Sequence, residues 1–188
     1  MTKLVFLHGA GADKNTYFET MLNIASRFNA QLITFNAPFP HPNKKEKFVW
    51  FNKKEINGRR DAVEAEYFHS LQYVKELLTQ LKNDDEDIIL IGHSQGGGLA
   101  VHVGLEIELK MVISICGDLP YNISYANNST TLIYWCEGRK DTYIDDNRKT
   151  SHLFLKDISA NYHYHIFPNS THKDFTADLM NLIENIKI

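Results

Sequence analysis

Short apolar runs alternate with amphipathic stretches along this chain. Residues 3–7 read as a strand, with Leu4 to Leu7 continuously apolar as when both faces are buried. Residues 17–28 follow with helical spacing at Met21, Leu22, Ile24, Ala25 and Phe28. Residues 31–35 are a second strand candidate. The pattern then breaks over 37–58, where Pro38, Pro40, Pro42 and Gly58 predict an irregular excursion. Residues 60–82 give the clearest helix, with Val63, Tyr67, Leu71, Val74 and Leu78 on one stripe and Glu and Lys opposite. Beyond it, strands are expected at 87–91, 111–116, 131–136 and 162–167, and helices at 95–105, 145–159 and 172–186.

Six strands separated by helices or long connections predict an α/β fold. The expected architecture is one domain over 1–188, built on a mostly parallel sheet with helices on both faces. Sites in such sheets lie beyond the carboxyl ends of the strands. The polar residues that directly follow strands are therefore the ones to weigh.

Gly92-His93-Ser94-Gln95-Gly96 follows the strand at 87–91 and opens a helix. This is the G-x-S-x-G nucleophile elbow in the strand–turn–helix context its mechanism needs. Ser94 must take strained backbone angles, and Gly92 and Gly96 remove side chains that would collide with it. A helix N-terminus there adds positive potential at the serine. A plain glycine-rich turn is the competing reading; the flanking strand, the helix and the run Gly96-Gly97-Gly98 speak for the elbow.

A serine at neutral pH needs a base. The chain order of this elbow is serine, acid, histidine, which selects a late histidine. His163 and His165 fall inside the last strand, whereas His172 follows it through Pro168-Asn169-Ser170-Thr171. The acid is expected at Asp141, in the loop after strand 131–136, with Asp118 after the preceding strand as its rival. Asp145 and Asp146 read as helix-start residues. His8-Gly9-Ala10-Gly11 after the first strand can present the Ala10 N–H to an oxyanion, with the Gln95 N–H as second donor. Phe39, Phe48, Trp50 and Phe51 on the excursion, with Leu119 and Tyr121 after another strand, are candidates to line an apolar substrate site. They serve equally as anchors that pin the loop to the core. Trp50, Phe51 and Leu119 are the substrate-binding candidates carried forward.

Composition narrows the partners. The 188 residues are 43% hydrophobic and 23% charged, with a formal net charge of -3. That balance suits a globular domain and argues against a nucleic-acid binder. Lys44, Lys45, Lys47, Lys53 and Lys54 cluster on the excursion, where a solvated face is the plain expectation. Cys116 and Cys136 make no disulfide framework, and no leader or bilayer-length run is visible, so a reducing, cytoplasmic setting is expected. His163 and His165 share a strand face without a third ligand, so no metal or organic cofactor is implied.

These residues together resemble the phospholipase/carboxylesterase group of α/β-hydrolases, which includes the acyl-protein thioesterases. The resemblance rests on Leu7 to Gly11, Trp50-Phe51, Gly92 to Gly97, Ile113 to Pro120, Gly138 to Asp141, and His172. It implies an α/β-hydrolase fold and a serine esterase or thioesterase acting on a small-molecule substrate. Three features depart from the group. No strand precedes residues 3–7, His93 stands where acyl-protein thioesterases carry an aromatic, and Ala10 stands where many members have leucine. These bear on the substrate more than on the chemistry.

Overall fold

A computed structural model describes every residue except 57, 83–85, 144–145, 160 and 187–188, and only the backbone of 56 and 146–149. The chain opens with β1 (Thr2–Leu7), α1 (Phe18–Arg27) and β2 (Ala30–Thr34). The excursion holds four short strands, β3 (Phe39–Pro40), β4 (Phe48–Val49), β5 (Lys53–Ile56) and β6 (Arg59–Ala62). Then come α2 (Glu64–Leu81), β7 (Ile88–His93), α3 (Gln95–Glu106) and β8 (Met111–Ile115). The chain continues through β9 (Leu132–Gly138), α4 (Asp146–Ile158), β10 (Tyr162–Phe167) and α5 (Thr176–Asn185).

Six strands form one sheet in the order β10-β9-β8-β7-β1-β2, and every pairing in it is parallel. Alternation along the strands sorts the core onto two faces. Leu4 and Phe6 of β1, with Ile89 and Ile91 of β7, pack with α1 and α5. Val5 and Leu7, with Ile88 and Leu90, face the other way onto α2 and α3. Both faces of the central strands are thus covered, which is why β1 and β7 read as unbroken apolar runs.

Three expected boundaries shift. The helix expected from 60 starts at Glu64, because residues 59–62 pair antiparallel with 53–56 in a hairpin. The last helix starts at Thr176 and leaves His172 on a loop. β7 runs on through Gly92 and His93, so the elbow turns directly off the strand end. Of the two aspartates read as helix-start residues, Asp145 and the side chain of Asp146 lie outside the described residues.

Candidate active site

Ser94 sits between β7 and α3 with φ 53 and ψ -121, a backbone region that residues bearing a Cβ rarely occupy. Packing holds it there. A Cβ at Gly92 would lie 2.2 Å from the Gly96 carbonyl oxygen, and one at Gly96 would lie 2.5 Å from that of Leu7. Ser94 N–H donates to the Ile115 carbonyl of β8 at 2.8 Å, and its own carbonyl accepts from Gly97 N–H at 2.8 Å. The side chain is left at the mouth of the sheet, at the first turn of α3.

His172 Nε2 lies 3.0 Å from Ser94 Oγ. On its other side, Nδ1–H donates to Asp141 Oδ2 at 2.8 Å. The second carboxylate oxygen of Asp141 accepts from the Tyr143 backbone N–H at 2.7 Å, so the carboxylate is held from two directions. Three strand ends supply these groups. Ser94 follows β7, Asp141 follows β9, and His172 follows β10, which neighbours β9. Asp118, one strand further away after β8, turns instead to Lys53 Nζ at 2.7 Å. His163 and His165 share one face of β10, both ringed against Tyr134 of β9.

The loop of residues 9–11 lies against the serine, since a Cβ at Gly9 would stand 3.3 Å from Ser94 Cβ. Gly11 N–H is committed to the Phe48 carbonyl at 2.8 Å. Among the described residues, neither Ala10 N–H nor Gln95 N–H has an acceptor. Ala10 belongs to the loop that lies against Ser94, and Gln95 directly follows Ser94 at the start of α3.

Trp50, Phe51 and Leu119 do not line a substrate site. Their exposures are 0%, 1% and 5%, and all three belong to the core packed under α2 and α3. Trp50 Nε1–H donates to the His8 carbonyl at 2.7 Å. The Gln95 side chain accepts from Trp50 N–H at 2.8 Å and donates to the Phe51 carbonyl at 2.7 Å. His8 accepts from Ala37 N–H at Nε2 and donates from Nδ1 to the Gly9 carbonyl, and burial lowers its pKa, so it serves as a neutral strut. The aromatic excursion is thus clamped to the end of β1 at His8 and to the start of α3 at Gln95. A polar glutamine beside a tryptophan gave no period-based signal of that clamp.

Two further residues touch the histidine, Tyr143 and His93, the latter marked in the sequence only as a departure from the group. Tyr143, 75% exposed, stacks on the His172 ring with centroids 5.1 Å apart and planes 25° apart. His93 Nε2–H donates to the His172 carbonyl at 2.7 Å, and the His93 ring packs on Phe175, Tyr17 and His172 itself. The elbow therefore grips the loop that carries the histidine.

Among the described residues, Cys116, Asp141 and His172 bring three possible metal-ligand atoms within 4.8 Å of one another. Two of the three are already joined by the histidine–carboxylate hydrogen bond. No helix among the described residues is long and apolar enough to cross a membrane.

A parallel sheet with a strained serine elbow at one strand end and a histidine beside it defines an α/β-hydrolase. The chain belongs to the phospholipase/carboxylesterase family, whose pattern it matches over residues 2–188. No curated protein matches it. Among solved structures it resembles a variant of Arabidopsis thaliana SOBER1, at 19% identity and a TM-score of 0.79, covering 98% of this chain and 97% of that one. It also resembles Zea mays acyl-protein thioesterase 2, at 17% identity and TM-score 0.74 over 97% and 91% of the two chains. The Bacillus cereus carboxylesterase is similar at 18% identity and TM-score 0.69 over 97% and 86%.

Proposed function

We propose that this protein is a serine hydrolase that cleaves carboxylic esters or thioesters through an acyl-enzyme. The observation that carries this reading is the hydrogen-bonded line from Ser94 Oγ through His172 to Asp141, at 3.0 and 2.8 Å. In the proposed reaction His172 Nε2 takes the Ser94 proton as Oγ attacks the substrate carbonyl carbon. Asp141 fixes the tautomer that leaves Nε2 free and stabilises the imidazolium that forms. The Ala10 and Gln95 N–H groups receive the negative charge that develops on the carbonyl oxygen. His172 then returns its proton to the leaving oxygen or sulfur. Water, deprotonated by the same histidine, releases the acid and restores Ser94. Each step uses a neutral His172 to accept a proton and a charged one to donate it.

Two further expectations belong to this reading. The short, clamped excursion supports a preference for short acyl groups over long ones. Cys116 and Cys136, both buried and neither in a disulfide, support work in a reducing compartment. The test is a fluorophosphonate probe together with nitrophenyl esters of increasing acyl length. Wild type should label and turn over the acetate or butyrate with a higher kcat/KM than the palmitate. Ser94→Ala should neither label nor turn over, losing about 10⁴-fold or more. Retention of a tenth of the activity by Ser94→Ala would reject the nucleophile. A preference for palmitate would favour a lysophospholipase or depalmitoylating enzyme. A folded wild type that does not label would leave a catalytically dead binding protein of the same fold.

A further inference from the structure

The excursion is the most basic part of the chain. Residues 37–58 carry five Lys and two Glu, in a protein of formal net charge -3. The plain expectation was a solvated lysine face, and the structure divides that cluster instead. Lys47 pairs with Asp13, and Lys53 pairs with Asp118. Lys44 is exposed and forms no ion pair among the described residues. It folds back over Gly11, where a Cβ would lie 2.8 Å from Lys44 Nζ. Gly11 has φ 71 and no side chain, and that gap is where the ammonium sits.

His41 shares the gap, with Cδ2 and Nε2 at 3.1 and 3.3 Å from the same point. The Asn43 backbone N–H donates to His41 Nδ1 at 3.0 Å, which leaves the ring proton on Nε2, the nitrogen turned toward Gly11. The turn is fixed at both ends, by His41 N–H to the Lys47 carbonyl at 2.7 Å and by Gly11 N–H to the Phe48 carbonyl at 2.8 Å. One ammonium and one imidazole N–H therefore meet at a fixed place.

That place adjoins the chemistry. Gly9 touches Ser94, and Gly11 touches the basic pair, and two residues of chain span at most about 7 Å. A group resting on Lys44 is thus a few bonds from a carbonyl resting on Ser94. We infer that the substrate of this site carries an anion, a carboxylate or a phosphate, which docks against Lys44 and His41 a few bonds from the scissile ester or thioester. The inference rests on the hydrolase reading above and names its substrate class. It accounts for an excursion that is basic beside Gly11, with Trp50 and Phe51 turned inward to the core.

Two matched pairs of probes test it. For an anion on the acyl side, the pair is the S-succinyl and S-butyryl thioesters of N-acetylcysteamine. For an anion on the alcohol side, it is the butyrate esters of 4-hydroxybenzoate and of its methyl ester. The charged member of one pair should show a kcat/KM about tenfold above its neutral partner, and added salt should shrink that ratio. Lys44→Ala should bring the ratio near one, and Lys44→Glu should take it below one. Lys44 is exposed, so neither change threatens the fold. The inference is overturned if the neutral members are hydrolysed and neither charged member is preferred. It is also overturned if both Lys44 variants keep the wild-type ratio. Turnover of none of the four probes overturns it too, and labelling of Ser94 by the fluorophosphonate then tells whether the hydrolase reading falls with it.

Discussion

Asp141 and Asp118 both follow strands and both are buried, and only their partners separate them. Asp141 receives the His172 Nδ1–H, while Asp118 answers Lys53. Asp141→Asn should cut turnover of a short nitrophenyl ester by about 10³- to 10⁴-fold, because an amide favours the wrong histidine tautomer. Asp118→Asn should cost far less. If the effects were reversed, with both variants folded by circular dichroism, the acid would have to be reassigned. His93 acts one step further back, as a positioning residue. His93→Phe keeps the stack on Phe175 and loses the donor to the His172 carbonyl, so the loop is freer to move away from Ser94. The expected result is a fall in kcat of about tenfold with KM little changed; a KM effect alone would mean that His93 shapes the substrate site. The serine, the late histidine and the glycines around the elbow were legible in the sequence because their spacing is dictated by a single turn. His93 and Tyr143 were not, since stacking on a neighbouring ring leaves no periodic trace.

At the scale of elements, the α2 and α3 layer carries a buried polar contact that periodicity also missed. Tyr67 of α2 and His102 of α3 meet at 2.9 Å, and His102 Nε2–H reaches Glu106 at 3.2 Å. Burial is the main influence on His102 and lowers its pKa from 6.5 to about 4, against the pull of Glu106. The unfolded chain protonates this ring below pH 6.5, whereas the folded chain stays neutral until about 4. Stability should therefore fall as the pH drops through that window, by about 3 kcal/mol from this group, and level off below it. Urea midpoints at pH 7 and pH 4.5 for wild type and His102→Leu check this. The variant should lose clearly less on acidification, and equal losses would clear His102. The helices with a full apolar stripe were readable from their period. The hairpin of β5 and β6 was not. Arg60-Asp61-Ala62 has nothing against a helix locally, and only pairing with residues 53–56 makes it a strand. The loop of His172 was likewise read as helix. There the Thr171 hydroxyl accepts from the backbone of Lys173 and Asp174, and this local turn delays α5 to Thr176.

For the whole molecule, the strand order explains why chain order was a usable guide. β8, β9 and β10 lie side by side in sequence order, so of the two strand-end acids, Asp118 and Asp141, the one nearer His172 along the chain also follows the strand nearer to it in space. The fate of the excursion was beyond such reasoning. Whether Trp50 faces substrate or core depends on Gln95 and His8, which lie 45 and 42 positions away. The same long reach has a consequence in time. Ser94 and His172 are 78 positions apart, and His172 leaves from the last strand of the sheet, which can dock only on β9. A chain emerging from the ribosome carries its elbow, oxyanion loop and clamp long before it carries its base. On the proposed mechanism, Ser94 would lack its base throughout that interval, and hydrolysis would begin only once β10 pairs with β9 and carries His172 to Ser94. On that proposal, activity would report the arrival of the C-terminal strand, and a chain clipped before His172 should be chemically silent.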